Sequence, residues 1–185
     1  MIKRLPGMEP NIGKDCFIAE TAAVVGDVTL GDNCSVWYSA VLRGDVNSIT
    51  VGNRVNIQDG TVLHCTGSEN GKVVIGDDVV IGHNATVHGA VIGSHVLIGM
   101  GSTILDGAVI GDGAMIAAHA LILSNTKVGD HELWAGVPAK FVKKVSPEVI
   151  ERTVDKGAQG YVRWAEIYSN EADIEGLNYR LKYRF

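Results

Sequence analysis

The chain has 185 residues, 46% hydrophobic and 20% charged, enough for one domain with a buried core, or one domain plus an appendage. Its formal net charge of −5 and pI near 5.6 disfavour nucleic acid as a partner, which selects a basic face. No apolar run reaches the roughly 18 residues of a membrane span, Met1-Ile2-Lys3-Arg4 does not lead into the apolar stretch of a signal peptide, and three cysteines (Cys16, Cys34 and Cys65) are too few for a disulfide scaffold, so a reducing cytoplasm is the expected location.

Glycine stands out, at 23 residues against four prolines, and many glycines follow an aliphatic residue in a periodic pattern. Stepping by six from Ile12 gives Ile18, Val24, Leu30, Val36 and Leu42. The same step from Val51 gives Ile57 and Leu63, and from Ile75 it gives Ile81 and Val87. From Ile92 it runs through Ile98, Ile104, Ile110, Ile116, Ile122 and Val128 to Trp134. Four residues after these markers the side chain is usually small, as at Cys34, Ala40, Ala85 and Ala108. A strand repeats every two residues and a helix every 3.6. A period of six with an aliphatic and a small residue at fixed phase is that of a hexapeptide β-helix.

A slower period runs above it. The aliphatic–Gly pairs at Ile12, Leu30, Val51, Ile75, Ile92, Ile110 and Val128 are separated by 18, 21, 24, 17, 18 and 18 residues. Eighteen is three hexapeptides, so each coil has three faces, and the Gly-marked one is taken as the first. The 21 implies three extra residues after Leu42, the 24 a polar excursion near residues 66–72, and the 17 one missing residue after His88. Markers point inward and stack at the strand spacing of about 4.8 Å. One coil cannot bury its own core, so the coils must pile up.

The expected fold is therefore all-β, a parallel β-helix of about seven three-sided coils over residues 1–140, then a C-terminal α-helix and tail over 141–185 packed on it. Gly136-Val137-Pro138-Ala139-Lys140 closes the last coil. Ser146-Pro147-Glu148 reads as a helix N-cap, a proline in the first turn and an acid beside it. An imperfect apolar stripe follows, weakened at Gly157 and Gly160, where a kink or break is expected. The basic clusters Lys140, Lys143, Lys144 and Arg180, Lys182, Arg184 read as solvated surface.

The register also sorts the polar residues. Arg43, His64 and His88 each follow a third-face marker in three successive coils, so they form one column. Two imidazoles one coil apart can tilt onto one ion, given Zn–N distances near 2.0–2.1 Å. His83 sits on the second face, two residues past Ile81, with Tyr38 and Asp59 ahead of it in its column. It can reach the His64–His88 pair of a neighbouring copy if the second face of one chain packs on the third face of the next. That contact is heterologous and must close as a ring, which suits a trimer. His95, His119 and His131 fall three positions past markers and read as surface or corner residues. Cys16 and Cys34 read as packing residues.

At these residues the chain resembles the γ-class carbonic anhydrase family. The matching stretches are Leu42-Arg43-Gly44-Asp45, Asn56-Ile57-Gln58-Asp59, the His64 segment, and Gly82-His83 through His88-Gly89, within a likeness that covers roughly residues 10–170. The resemblance implies a left-handed β-helix, an exception to the usual right-handed crossover. It implies a homotrimer with a divalent metal at each subunit interface, zinc by default, with iron or cobalt also accepted at such sites. His64 and His88 would come from one chain and His83 from the next. Three imidazoles leave a position for water, whose pKa falls to about 7, and metal-bound hydroxide would convert carbon dioxide reversibly to bicarbonate. Gln58 would orient hydroxide or substrate. Arg43, with Asp45 as its partner, would hold bicarbonate or secure the interface, and Asn56 and Asp59 would support the ligands. One departure stands out: the best characterised members carry an acidic loop with a proton-shuttling glutamate, and here the excursion is short with Glu69 its only acid. Two competing readings are a non-hydrating metal-binding relative, thioesterase-like or a binding trimer, and a hexapeptide acyltransferase. The latter needs a histidine base beside a pantetheine groove and gives no reason for three histidines to converge.

Overall fold

A computed structural model describes residues 1–169, and in it the chain is a left-handed parallel β-helix of about seven turns followed by one C-terminal helix. The six-residue clock is visible as inward ladders. On the third face Leu42 pairs with Leu63, Leu63 with Val87, Val87 with Ile104, and Ile104 with Ile122. On the second face Val36, Ile57, Ile81, Ile98 and Ile116 stack in the same way. Leu42, Ile57, Leu63, Ile81 and Ile98 are all 0% exposed. At about 1.5–3 kcal/mol for each fully buried aliphatic side chain, these ladders are the main source of stability. The small residues Ala22, Cys34, Ala40 and Ala85 are buried at the corners, where nothing larger fits.

The irregular separations appear where the sequence places them. Between the strands Ala23–Leu30 and Val41–Val51 the register slips from Gly26 opposite Gly44 to Val28 opposite Ile49, which is the three-residue insertion. Those two long strands turn the corner from the third face to the first, so among the described residues these faces form one 12-stranded sheet and the second face an 8-stranded one. The polar excursion lies between Val62–His64 and Val73–Ile75, and the shortened corner between Thr86–His88 and Val91–Ile92.

The first-face glycines have a packing cause. Asp112 Oδ1 accepts a hydrogen bond from Ser94 N at 2.7 Å, and Asp130 Oδ1 one from Asp112 N at 3.0 Å. A Cβ on Gly93 or Gly111 would fall on those same carboxylate oxygens. The aliphatic–Gly pair therefore leaves the gap through which the next coil caps a backbone N–H.

The end of the stack departs from expectation. Glu132–Gly136 folds back antiparallel on Ala139–Lys144, a hairpin whose second strand crosses the expected 140/141 division. Lys140, Lys143 and Lys144 lie exposed on that strand, where lysines discourage edge-to-edge pairing. The helix starts at Pro147, but Ser146 makes no side-chain capping bond to the backbone. Its hydroxyl instead bonds Glu148, and that contact holds the Glu148 carboxyl below the usual range. Gly157 and Gly160 do not break the helix. It runs as Pro147–Ile150, one wider turn at Glu151–Asp155, then Lys156–Ser169. Tertiary packing overrides the low glycine propensity here: Val154 and Ala158 are buried against Val80, Val145 and Ile150. Tyr161 and Tyr168 meet Trp37 edge to face, with ring centroids 5.8 and 5.1 Å from its own, which docks the helix on the second face. Among the described residues no helix is long and apolar enough to cross a membrane. The expected tail, with Arg180, Lys182 and Arg184, lies outside the described residues.

Candidate metal centre

His64 and His88 close the strands Val62–His64 and Thr86–His88, directly opposite each other, with Arg43 opposite His64 on the other side. The expected column is thus present. Its rings stand edge to face with centroids 5.0 Å apart, and His64 Nδ1 lies 3.0 Å from His88 Nε2. The remaining nitrogen of each ring meets a carboxylate: His64 Nε2 is 3.0 Å from Asp45 Oδ1, and His88 Nδ1 is 2.7 Å from Asp106 Oδ1.

This arrangement fits a cation on chemical grounds. A carboxylate only accepts, so each neutral ring turns its single N–H toward its aspartate. The two facing nitrogens are then both lone pairs. A contact of 3.0 Å between them requires a positive centre, a shared proton or a metal ion. Two nitrogens bound tetrahedrally at about 2.0–2.1 Å from zinc stand about 3.3–3.4 Å apart, so the pair would open by only a few tenths of an ångström.

His83 follows Val80–Ile81 on the second face, and its Nδ1 lies 2.8 Å from Asp59 Oδ2. It carries its own carboxylate, as the other two imidazoles do. Among the described residues, no three His, Cys, Asp or Glu side chains gather as a metal-holding group within the chain.

The other expected residues divide between the two faces. Arg43 Nη1 bonds Asp45 Oδ2 at 2.5 Å, so Asp45 bridges the guanidinium and His64. Desolvation opposes ionisation of Asp45, but the bonds from Arg43 and His64 outweigh it, and its carboxyl stays below the usual range. Gln58 is 7% exposed on the second face. Its Oε1 accepts His83 N–H at 3.1 Å and its Nε2 donates to Tyr161 Oη at 2.8 Å. Asn56 is not brought to the imidazoles: it is buried on the second face, donates to Ser35 Oγ at 2.9 Å, and its Oδ1 has no partner among the described residues. Glu69 lines a cavity of 590 Å³ with Lys72, Gly89 and Asn125, beside the corner that follows His88. Cys65 donates to Ser48 O at 3.3 Å, and burial pushes its thiol up, as suits a packing residue. His95, His119 and His131 sit at left-handed corners with φ of 58°, 55° and 55°.

Two residues at the site were not singled out from the sequence. Asp106 lies two positions past the marker Ile104, one coil beyond His88, whereas the column itself, one position past each marker, continues to Leu105, so its register does not reach the carboxylate. Tyr161 had no signal either, because only docking of the helix brings it to Gln58.

The chain is similar to several known proteins. Residues 9–44 and 89–124 match the family model of the bacterial transferase hexapeptide (six repeats), and residues 72–105 that of the hexapeptide repeat of succinyl-transferase. A protein of Methanocaldococcus jannaschii named "Probable carbonic anhydrase" is 52% identical over 84% of this chain and 96% of its own length. The carbonic anhydrase of Geobacillus kaustophilus is 42% identical over 91% of each. Gamma carbonic anhydrase 2, mitochondrial, of Arabidopsis thaliana is 43% identical over 88% of this chain, which spans 59% of that protein. Among solved structures, a hexapeptide transferase family protein from Anaplasma phagocytophilum is 40% identical with a TM-score of 0.85, covering 91% of this chain and 98% of that one. An N-acyltransferase from Bacillus cereus, 21% identical with a TM-score of 0.67, shares the fold alone, covering 77% of this chain and 87% of its own. Identities of 52% and 42% to carbonic anhydrases covered over nearly their full length place this sequence: the chain belongs to the γ-class carbonic anhydrase family.

Proposed function

We propose that the chain forms a homotrimer, holds a divalent cation between each pair of subunits, and catalyses the reversible hydration of carbon dioxide to bicarbonate. Zinc is the default ion, with iron or cobalt as alternatives. The observation that carries this reading is the 3.0 Å contact between His64 Nδ1 and His88 Nε2, with the other nitrogen of each ring braced by an aspartate, an arrangement that a metal ion between the facing nitrogens satisfies. His83, braced by Asp59 on another face, is the third ligand, supplied by the next subunit. Bound there, the ion would act as a Lewis acid that makes water a nucleophile near neutral pH.

The chain's own residues do the rest. Asp59 fixes the ring of His83 and Asp45 that of His64. Arg43, with its side chain 45% exposed and tethered to Asp45, is placed to hold anionic bicarbonate or to secure the interface. Gln58 holds the His83 main chain through Oε1 and Tyr161 through one N–H; the second amide proton is the donor assigned to substrate oxygen. Asn56, on the short strand Asn56–Ile57 that leads into Gln58 and Asp59, supports the ligands through that backbone. Met100, 53% exposed on the second face, and Leu123, 46% exposed on the third, offer apolar surface for the contact between faces. Three free thiols are in keeping with a cytoplasmic location.

Acyl transfer is the second reading. It draws on the transferase relatives and on a 420 Å³ groove that starts at His83 and Gln58 and runs along Leu97, Met100 and Met115. Stopped-flow hydration on zinc-loaded and iron-loaded protein separates the two. Bicarbonate formation above background, lost in His83→Ala, supports the first reading. Background rates in both loaded forms refute it.

A further inference from the structure

We propose that Asp106 is a positioning residue that commits His88 to one tautomer and thereby presents Nε2 to the cation; this rests on the metal-site reading above. Asp106 follows the strand Thr103–Ile104, which pairs with Thr86–His88 one coil away. Its Oδ1 stands 2.7 Å from His88 Nδ1, against 2.8 Å for Asp59 on His83 and 3.0 Å for Asp45 on His64. Which imidazole nitrogen carries the proton is set by the bond that the other nitrogen makes. With a carboxylate at Nδ1 the proton stays there, and Nε2 keeps its lone pair toward His64.

The backbone is shaped for this contact. Gly89 follows His88 with φ of +54°, and a Cβ there would fall on Asp106 Oδ1. The carboxylate reaches the imidazole through the gap that glycine leaves, at the corner where the repeat is one residue short. The main chain on both sides is tied by Gly107 N to Gly89 O at 2.7 Å and by Asn125 N to Asp106 O at 2.9 Å. Asp112 and Asp130 direct Oδ1 to a backbone N–H of the preceding coil, whereas Asp106 directs its Oδ1 to an imidazole. The row Asp45–His64–His88–Asp106 thus has a carboxylate at each end and two facing lone pairs at its centre.

The test is zinc affinity, by competition with a chromophoric chelator, for the full-length wild type, D106A, D106N, G89A and H88A. The ¹⁵N tautomer signature of His88 is read in the metal-free proteins, and circular dichroism verifies the coil. Losing a carboxylate behind a ligating imidazole typically weakens metal binding about 10–100-fold, the loss expected for D106A. D106N should lose less, because its amide oxygen still accepts from Nδ1–H. G89A, which displaces the carboxylate, should follow D106A. His88 should carry its proton on Nδ1 in the wild type and become a tautomer mixture in D106A. Folded D106A with wild-type zinc affinity, or with an unchanged tautomer, overturns the inference alone. Zinc binding equally weak in the wild type and H88A removes the metal-site reading, and the inference falls with it.

Discussion

Mixing two defective forms of the chain tests where the third imidazole comes from. His83→Ala removes the second-face ligand and His64→Ala one member of the third-face pair, so neither homotrimer has a complete set. Suppose each site takes His64 and His88 from one subunit and His83 from the next around a closed ring. A site in a mixed ring is then whole only when a His83→Ala chain supplies the pair and a His64→Ala chain supplies His83. With equal amounts assembled at random each condition holds about half the time, so about one quarter of all sites recover. Both mixed compositions hold one whole site per ring, and unmixed rings hold none. The forms are unfolded and reassembled together with zinc, freed of loose metal by gel filtration, and assayed for bound zinc and for hydration. The wild type should bind about one zinc per chain, each parent far less, and the mixture about one quarter of the wild type. Verified mixed trimers with no recovery would refute the shared site.

Three further outcomes follow from particular contacts. Ile98→Ala opens a cavity in a fully buried ladder and should cost about 2–5 kcal/mol in urea unfolding at fixed subunit concentration, whereas Val91→Ala, on the exposed outside of the first face, should change stability by less than about 0.5 kcal/mol. Equal effects would contradict the inward register. Tyr161→Phe deprives buried Gln58 of its hydrogen bond to the phenol and should destabilise by about 1–3 kcal/mol and slow hydration; a neutral effect on both would show that the amide is held otherwise. The Cys34 side chain, against the opposing effect of burial, lowers the Cys16 thiol to about 7. Its reaction with iodoacetamide should therefore rise through neutral pH, and Cys34→Ala should move that midpoint up toward about 8.5. A midpoint that does not move would contradict the coupling.

The coil was readable because its cause is local and repeated. Each hexapeptide meets the same steric demand, an aliphatic side chain inward and a small one at the corner, so Ile98 and Ala85 could be assigned without knowing their neighbours. The His64–His88 column followed from counting, since His88 pairs with His64 in the expected register. Features that depend on tertiary contact were not readable. The Glu132–Gly136 hairpin arises where the repeat lapses, and the helix survives Gly157 and Gly160 because packing on the second face holds it. Asn56, given a supporting role by family likeness, is buried and donates to Ser35, a contact that only the stacking of coils creates. Asp106 was missed because one coil beyond His88 the column falls on Leu105, and the carboxylate stands one residue later.

Diffraction from zinc-loaded crystals at the zinc absorption edge addresses the shared site most directly. The expected anomalous peak lies between His64 Nδ1 and His88 Nε2 of one subunit, with His83 of the partner subunit completing the donor set. An ion ligated within a single subunit, or isolated subunits with no ion at the His64–His88 pair, would contradict it.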